Sequence, residues 1–130
     1  MMKTVMGIGL FTLIIGGRYT PTNEVVVDAT IYHAVEGQTD STPLITASGK
    51  HIDPSNPAGH RWIAVSRDLE ELGFVFGKRV MVMGAQHMDG IYTVEDRMNR
   101  RWTKRIDFLV NESMKGGKWE NIKIILVDAR

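Results

Sequence analysis

The chain has 130 residues, enough for one domain whose hydrophobic core needs no covalent staples. Its 16 Lys and Arg residues against 15 Asp and Glu residues leave a net charge of +1, which argues against a dedicated nucleic-acid-binding protein. The absence of cysteine excludes disulfide bonds, thiolate zinc sites and a cysteine nucleophile.

The N-terminal segment has the layout of a secretory signal. Lys3 lies near the start, an uncharged and mostly apolar run follows at residues 4–15, and two glycines come next. The run is shorter than the roughly 20 apolar residues that span a bilayer, and the usual small-residue cleavage pattern is missing. We therefore predict a signal peptide or N-terminal anchor at residues 1–18, a linker at 19–23, and export to the cell envelope. The alternative is a buried first helix or strand.

Residues 24–130 are dominated by short apolar stretches that are typical of β-strands. Strands are predicted at residues 24–33, 61–65, 78–84, 90–95, 105–110 and 122–127, and the longer polar loops at residues 34–43, 51–60 and 111–118. One short helix is predicted at residues 66–72, with Ser66 as its N-cap and Gly73 at its end. This pattern predicts a mainly β fold, a compact β-barrel with one short helix.

The stretch from residue 95 to residue 108 is the first candidate for chemistry. Asp96 ends one predicted strand and Asp107 lies within the next, and a basic loop connects them. Two neighbouring carboxylates do not both ionise cheaply, so the pKa of one of them rises and that group can act as an acid near neutral pH. The alternative is that Asp107 is a solvent-facing residue on an ordinary strand.

Other kinds of site have weaker support. The four histidines lack the close spacing of a zinc motif, and neither a glycine-rich phosphate loop nor a serine-nucleophile elbow occurs. We therefore predict no metal and no cofactor. The loop at residues 100–104, with Trp102 among basic residues, suits a sugar ring or a nucleic acid equally well, or is a solvated loop with one anchoring Trp.

Four short motifs together resemble a known family. They are Thr30-Ile-Tyr32, Ile45-Thr-Ala-Ser-Gly49, Ile63-Ala-Val65, and Asp96 followed eleven positions later by the Asp of Arg105-Ile-Asp107. In this order they resemble the 3D (three-aspartate) domain of bacterial cell-wall proteins. That domain is the catalytic double-psi β-barrel also found in the membrane-bound lytic transglycosylase A family, so the resemblance implies a six-stranded double-psi β-barrel at residues 24–130.

The resemblance also implies roles for individual residues. Asp107 corresponds to the catalytic acid and base, and Asp96 to its electrostatic and hydrogen-bonding neighbour. The predicted substrate-binding residues are Tyr32, Thr46, Ser48, Asp68, Trp102, Lys104 and Arg105. Two positions depart from the family. Ser66 stands where the family has its remaining aspartate, with Asp68 the nearest carboxylate, and a bulkier basic loop follows Asp96.

The function implied is a metal-independent, exported lytic transglycosylase that cleaves the MurNAc–GlcNAc bond of peptidoglycan. Its expected partners are peptidoglycan glycan strands and not nucleic acid, with a possible membrane tether through residues 4–15. In this reading the charge of Asp96 holds Asp107 protonated, partial burial adds to that effect, Trp102 stacks on a sugar, and Lys104 or Arg105 contacts substrate carboxylates. The alternative is a non-catalytic, expansin-like module that binds cell-wall glycan.

Overall fold

The computed structural model describes residues 14–15, 18–19, 24–35 and 42–127. Strands β1 (Ile14–Ile15) and β2 (Arg18–Tyr19) form a small antiparallel ladder. The rest of the predicted export segment at residues 1–18 and of the linker at 19–23 lies outside the described residues, so export stays a prediction. The helices of the described part are too short or too polar to cross a membrane.

Six strands close into a barrel, as the sequence predicts. They are β3 (Glu24–Tyr32), β4 (Trp62–Val65), β5 (Arg79–Met83), β6 (Gly90–Arg97), β7 (Arg105–Leu109) and β8 (Lys118–Leu126). Their order around the barrel is β3-β7-β4-β6-β5-β8, with β8 pairing back onto β3. The pairs β3–β7 and β4–β6 are parallel and the other pairs are antiparallel. Closure leaves these six strands without an unpaired edge.

The barrel interior is filled by alternate side chains of the strands, because successive residues of a strand point to opposite faces. Ile63 and Val65 of β4 and Ile106 and Phe108 of β7 are fully buried there. Phe108 lies at the centre, where the rings of Tyr92 and Trp119 pack against it at centroid distances of 4.9 and 5.7 Å. The residues between these, including Ala64 and Asp107, therefore face outward.

The single α-helix of the described residues, α1 (Arg67–Glu70), is shorter than the predicted helix at residues 66–72. Ser66 does occupy its N-cap position, but the Ser66 hydroxyl does not cap the helix. That hydroxyl instead accepts the backbone N–H of Arg105 at 3.0 Å, which joins the start of the helix to the start of β7. Short 3-10 turns lie at Pro57–His60 and Gln86–Met88.

The last strand is longer than predicted. The sequence predicts a loop up to residue 118 and a strand at residues 122–127, whereas β8 begins at Lys118. The polar residues at its start pair with the end of β3 through backbone groups, which need no apolar side chains. The pairing of β3 with β8 shifts its register between Val27 and Ala29. The carboxylate of Asp28, the residue between them, accepts the backbone N–H of Asn121, which has a left-handed conformation with φ 56°.

Candidate functional site

A row of four residues crosses the outer face of four neighbouring strands. Ala64 of β4 pairs with Asp107 of β7 on one side and with Asp96 of β6 on the other, and Asp107 pairs with Thr30 of β3. Residues paired in this way point to the same face of a sheet. The two aspartates therefore share a face and are two strand spacings apart, roughly 10 Å between Cα atoms. Ala64, which lies between them, has a small side chain that is almost fully buried.

A β-bulge places Asp96 in this row. Val94 pairs with Ile63, but the next residue of β4, Ala64, pairs with Asp96, so that Glu95 is the extra residue of β6. Without the bulge, Asp96 would have the same orientation as Val94, which is buried in the barrel. The bulge thus turns the Asp96 carboxylate outward, next to Asp107.

The Asp107 carboxyl group is partly buried and accepts a hydrogen bond from the Thr30 hydroxyl at its Oδ1 atom. Burial is the largest cause that raises the pKa of Asp107 above its ordinary value, and the negative charge of Asp96 adds a smaller effect in the same direction. The Thr30 hydrogen bond and the charge of Arg105 oppose the rise in pKa without cancelling it. The sequence analysis expected the Asp96 charge to be the main cause of the raised pKa of Asp107 and burial to be the lesser one. In the structure burial is the larger cause.

Asp96 is surrounded by hydrogen-bond donors. Its Oδ1 atom accepts the backbone N–H groups of Ala47 at 3.0 Å and of Arg97 at 2.9 Å, and its Oδ2 atom accepts the Tyr32 hydroxyl at 3.1 Å. Burial, together with the charge of Asp96, raises the pKa of Tyr32 well above its usual range, so that Tyr32 remains a donor at neutral pH. Asp96 is therefore held as an acceptor in a fixed orientation.

An open cleft of about 520 Å³ lies over this row. Its walls come from the outer barrel face and from the segments on either side. The lining residues are Tyr32, Pro43, Ile45, Ala47, Ala64, Arg67, Asp96, Arg97, Met98, Asn99, Arg101, Trp102 and Asp107. Trp102 is covered in part by two guanidinium groups, whose central carbons lie 4.4 Å (Arg105) and 4.9 Å (Arg101) from its ring centroid.

Four of the predicted site residues therefore meet in one cleft: Tyr32, Asp96, Trp102 and Asp107. Two further predicted residues, Thr46 and Ser48, lie beside the cleft and do not line it. The Thr46 hydroxyl accepts the N–H of Lys50 at 3.0 Å and lies 2.9 Å from the Ser48 hydroxyl, which donates to buried Glu95 at 2.7 Å. These hydroxyls hold a tight turn at residues 46–50, and the turn presents the Ala47 N–H group to Asp96.

The remaining predicted residues are absent from the lining of the cleft. The Asp68 carboxylate accepts the N–H of Lys104, at 3.0 and 3.2 Å, and thereby holds that residue in the left-handed conformation, with φ 46°. The Lys104 side chain is exposed, and the Arg105 guanidinium lies over Trp102. Together with Ser66, Asp68 thus anchors the start of β7.

Several residues in or beside the cleft were not predicted from the sequence, and one of them, Thr30, contacts Asp107 without lining the cleft. Thr30 belongs to the same short motif as Tyr32. It could not be predicted as a contact of Asp107, because the sequence does not give the register in which β3 pairs with β7. Arg97 and Asn99 follow Asp96 directly in the chain, so their position in a bulky loop was a usable signal. Arg67 carried no such signal, because only the fold of helix α1 brings it to the cleft.

Three of the four histidines have separate surroundings. His33 and His60 each hydrogen-bond a backbone group through Nε2, the carbonyl of Met114 at 2.6 Å and the N–H of Asp53 at 2.9 Å. His87 contacts the edge of Trp119. Within residues 24–35 and 42–127 there is no cluster of three His, Asp or Glu side chains that could hold a metal ion.

Comparison with known proteins gives a likeness of fold. No family model and no curated protein sequence matches the chain. Two structures of an expansin from Clavibacter michiganensis match at 14% identity, over 82% of this chain and 52% of that one, so the chain spans about half the expansin's length. A mutant expansin in complex with cellohexaose has a TM-score of 0.51, and the apo form 0.48. The shared fold is the double-psi β-barrel, as the sequence predicts.

Proposed function

We propose that this chain is a cell-wall glycan-binding barrel and that a glycan strand lies in the cleft across the Asp107–Ala64–Asp96 row. The observation that carries the proposal is the cleft itself, an open groove of about 520 Å³ with an aromatic wall and fixed polar groups. The expansin of the same fold was solved with cellohexaose, which makes a glycan the first class of ligand to consider.

The groups in the cleft suit the two kinds of surface that a sugar presents. A pyranose ring has an apolar face that packs on an aromatic side chain, and Trp102 supplies such a side chain. Its hydroxyl groups need partners of fixed orientation, and Asp96, Tyr32 and Asn99 line the same space. An open groove, unlike a closed pocket, accepts a chain that continues at both ends.

Binding is tested by sedimentation of the full-length chain with insoluble peptidoglycan, cellulose and chitin. We expect saturable binding to at least one of them, and Trp102→Ala to weaken it about tenfold, because the variant removes the aromatic wall. Ile91→Ala is the matched control, since Ile91 is an exposed apolar residue that does not line the cleft. Equal binding by all three proteins would place the glycan elsewhere, and no binding to any polymer would reject the proposal.

A second candidate function is cleavage of the glycan, and the surroundings of Asp107 favour it. Burial raises the pKa of Asp107, which favours a protonated acid, and the group lines the cleft where a glycosidic oxygen would lie. Thr30 occupies Oδ1, whereas Oδ2 has no hydrogen-bond partner among residues 24–35 and 42–127. Such a carboxyl group has one oxygen anchored and one available to a substrate.

The cleavage that suits a single acid is the lytic transglycosylase reaction. Protonated Asp107 gives its proton to the glycosidic oxygen as the bond from that oxygen to the muramoyl C1 breaks. The muramoyl C6 hydroxyl then attacks C1, and the Asp107 carboxylate takes the hydroxyl proton, which regenerates the acid and leaves an anhydro ring. Asp96, fixed by its three donors, supplies the negative charge that disfavours a second ionised group beside it.

Cleavage is tested by mass analysis of soluble products after digestion of peptidoglycan with the full-length chain. The transglycosylase proposal requires anhydro-muropeptides from the wild-type chain and from Asp68→Asn, a matched carboxylate-to-amide change outside the cleft lining, but none from Asp107→Asn. Products heavier by one water would show hydrolysis instead. Glycan binding without any product would leave the binding proposal standing and reject cleavage.

A further inference from the structure

Arginine side chains outnumber carboxyl groups in the lining of the cleft. Three arginines line it, Arg67, Arg97 and Arg101, against two carboxyl groups, Asp96 and Asp107. A neutral glycan requires no cations along its path, and the arginines therefore need an explanation.

Two of the three arginines lack a carboxylate partner within the described part of the chain. Arg97 is paired, because its Nε and Nη2 atoms donate to the Glu70 carboxylate at 2.7 and 3.3 Å. Arg67 makes one weaker bond, from Nε to the backbone oxygen of Met98 at 3.3 Å. The Arg101 guanidinium lies over the ring of Trp102. Arg67 and Arg101 thus keep most of their N–H donors available to a ligand.

The carboxyl groups at the base of the cleft do not neutralise these two arginines. Asp96 accepts hydrogen bonds from Tyr32 and from two backbone N–H groups, and no hydrogen bond within the described part of the chain joins it to Arg67 or Arg101. Asp107 accepts the Thr30 hydroxyl, and burial raises its pKa above the ordinary value. An anion brought by a ligand is therefore the natural partner for the guanidinium groups of Arg67 and Arg101.

We infer that the cleft selects glycans that carry carboxylate groups over neutral glycans, and that Arg67 and Arg101 are the residues that make this selection. The inference rests on the proposed glycan-binding function and gives its substrate class. A guanidinium group binds a carboxylate through two parallel N–H donors, a geometry that sugar hydroxyls do not match. Lys104 and Arg105, the residues predicted from sequence for this role, do not line the cleft.

A nucleic acid is the competing polyanion, and the site is poorly suited to it. Asp96 lies at the base of the cleft, where a phosphate backbone would meet a fixed negative charge, and Arg97 is already paired with Glu70. A strand that carries its carboxylates on side groups can keep them near the cleft walls while neutral sugar lies over the aspartates.

The experiment compares two ligands that share a backbone. Peptide-free peptidoglycan glycan strands carry a lactyl carboxylate on every second sugar, and chitin oligosaccharides of similar length carry none. We measure their affinity for the full-length chain by calorimetry, together with that of a single-stranded DNA oligonucleotide. The wild-type chain should bind the carboxylate-bearing strand at least about tenfold more tightly than chitin oligosaccharide, and rising salt should reduce this difference.

The variants Arg67→Gln and Arg101→Gln should each lower the affinity for the carboxylate-bearing strand about tenfold and so remove most of its advantage over chitin oligosaccharide. Arg100→Gln is the matched control, because it removes the same charge from the same loop at an exposed residue that does not line the cleft. A loss in Arg100→Gln as large as in Arg101→Gln would overturn the inference, since general charge would then suffice.

The remaining outcomes separate this inference from the proposed function. Equal affinity for both glycans, unchanged in the variants, would overturn the carboxylate selection and leave glycan binding intact. Binding to neither glycan would reject the proposed function itself. Tighter binding to the oligonucleotide than to either glycan would overturn the inference in favour of a general polyanion site.

Discussion

Asp107 is a partly buried carboxyl group whose ionisation the surrounding barrel opposes. Its pKa in the folded chain lies above the ordinary value of 3.8, because burial and the Asp96 charge outweigh the Thr30 hydrogen bond and Arg105. The folded state therefore holds this proton more tightly than the unfolded state does. Stability is lost as the pH rises from about 3.8 through the raised folded-state pKa, and stays lower above it.

Asp107→Asn removes this loss while keeping an oxygen that can accept the Thr30 hydroxyl. We expect the melting temperature of the variant, relative to the wild-type chain, to be higher at neutral pH than below pH 3.8. Thermal unfolding of both chains at the two pH values measures it. Asp68→Asn controls for the change of net charge. If the difference between Asp107→Asn and wild type is independent of pH, Asp107 does not have a raised pKa.

Thr30 acts on the same carboxyl group in the opposite direction. Its hydroxyl donates to Asp107, and this bond lowers the pKa that burial raises. Thr30→Val keeps the shape and removes the donor, so the pKa of Asp107 should rise further. An NMR titration of the side-chain carboxyl carbon measures this, with Thr93→Val as a matched control on β6. An unchanged or lower pKa in Thr30→Val would contradict the role given to this hydroxyl.

At the scale of elements, the bulge in β6 and the turn at residues 46–50 form one unit. Buried Glu95 accepts hydrogen bonds from the Ser48 hydroxyl at 2.7 Å and from the Lys50 ammonium group at 3.1 Å. The same turn supplies the Ala47 N–H group to Asp96. The Lys50 side chain is 57% exposed, so its ion pair is screened by solvent and contributes little. The Ser48 bond is the stronger constraint on the turn.

Glu95→Ala should lower the free energy of unfolding by about 1–3 kcal/mol, because it leaves the half-buried Ser48 hydroxyl without its charged acceptor. Lys50→Ala should lower it by about 0–1 kcal/mol, since it breaks only the exposed pair. Urea denaturation measures both values. Hydrogen exchange of the Ala47 amide should become faster in Glu95→Ala alone. Equal exchange rates in the two variants would show that the turn does not depend on Glu95.

The elements also show where sequence patterns succeed and where they fail. The β-branched run at residues 24–33 predicts β3 to within one residue, because its side chains fit a half-buried sheet. The start of β8 at Lys118 was missed, since its polar residues pair through backbone groups that the pattern of side chains does not reveal. The hydroxyls of Thr46 and Ser48 hydrogen-bond Lys50 and Glu95 in the structure, and their predicted contact with substrate stays a prediction.

At the scale of the molecule, the four strands that carry the site belong to a barrel closed by β8. Ile124 of this strand is fully buried, whereas its neighbour Ile125 points outward and is only partly buried. Strand β8 pairs with β3 on one side and with β5 on the other, so it connects the two ends of the sheet. The position of Thr30 relative to Asp107 thus depends on a strand that contributes nothing to the lining of the cleft.

Ile124→Ala should lower the free energy of unfolding by about 2–5 kcal/mol, because it leaves a cavity in a core that is closed on all sides. Ile125→Ala, the matched control, should cost less than about 1 kcal/mol. Urea denaturation followed by Trp fluorescence and by circular dichroism should give coincident transitions for both variants. A smaller cost for Ile124→Ala than for Ile125→Ala, or separate transitions by the two probes, would contradict a single cooperative barrel.

The sequence by itself determined the class of fold and the two carboxylates at the centre of the site. Apolar and β-branched stretches of strand length indicate a small β-barrel, and the spacing of Asp96 and Asp107 on consecutive strands indicates a pair. Only the tertiary structure decided what lies around that pair. The bulge at Glu95 turns Asp96 outward, the parallel register of β3 and β7 brings Thr30 to Asp107, and helix α1 brings Arg67 to the cleft. These are contacts between residues 31 to 77 positions apart, and their formation depends on strand pairing across the whole chain and not on local side-chain patterns.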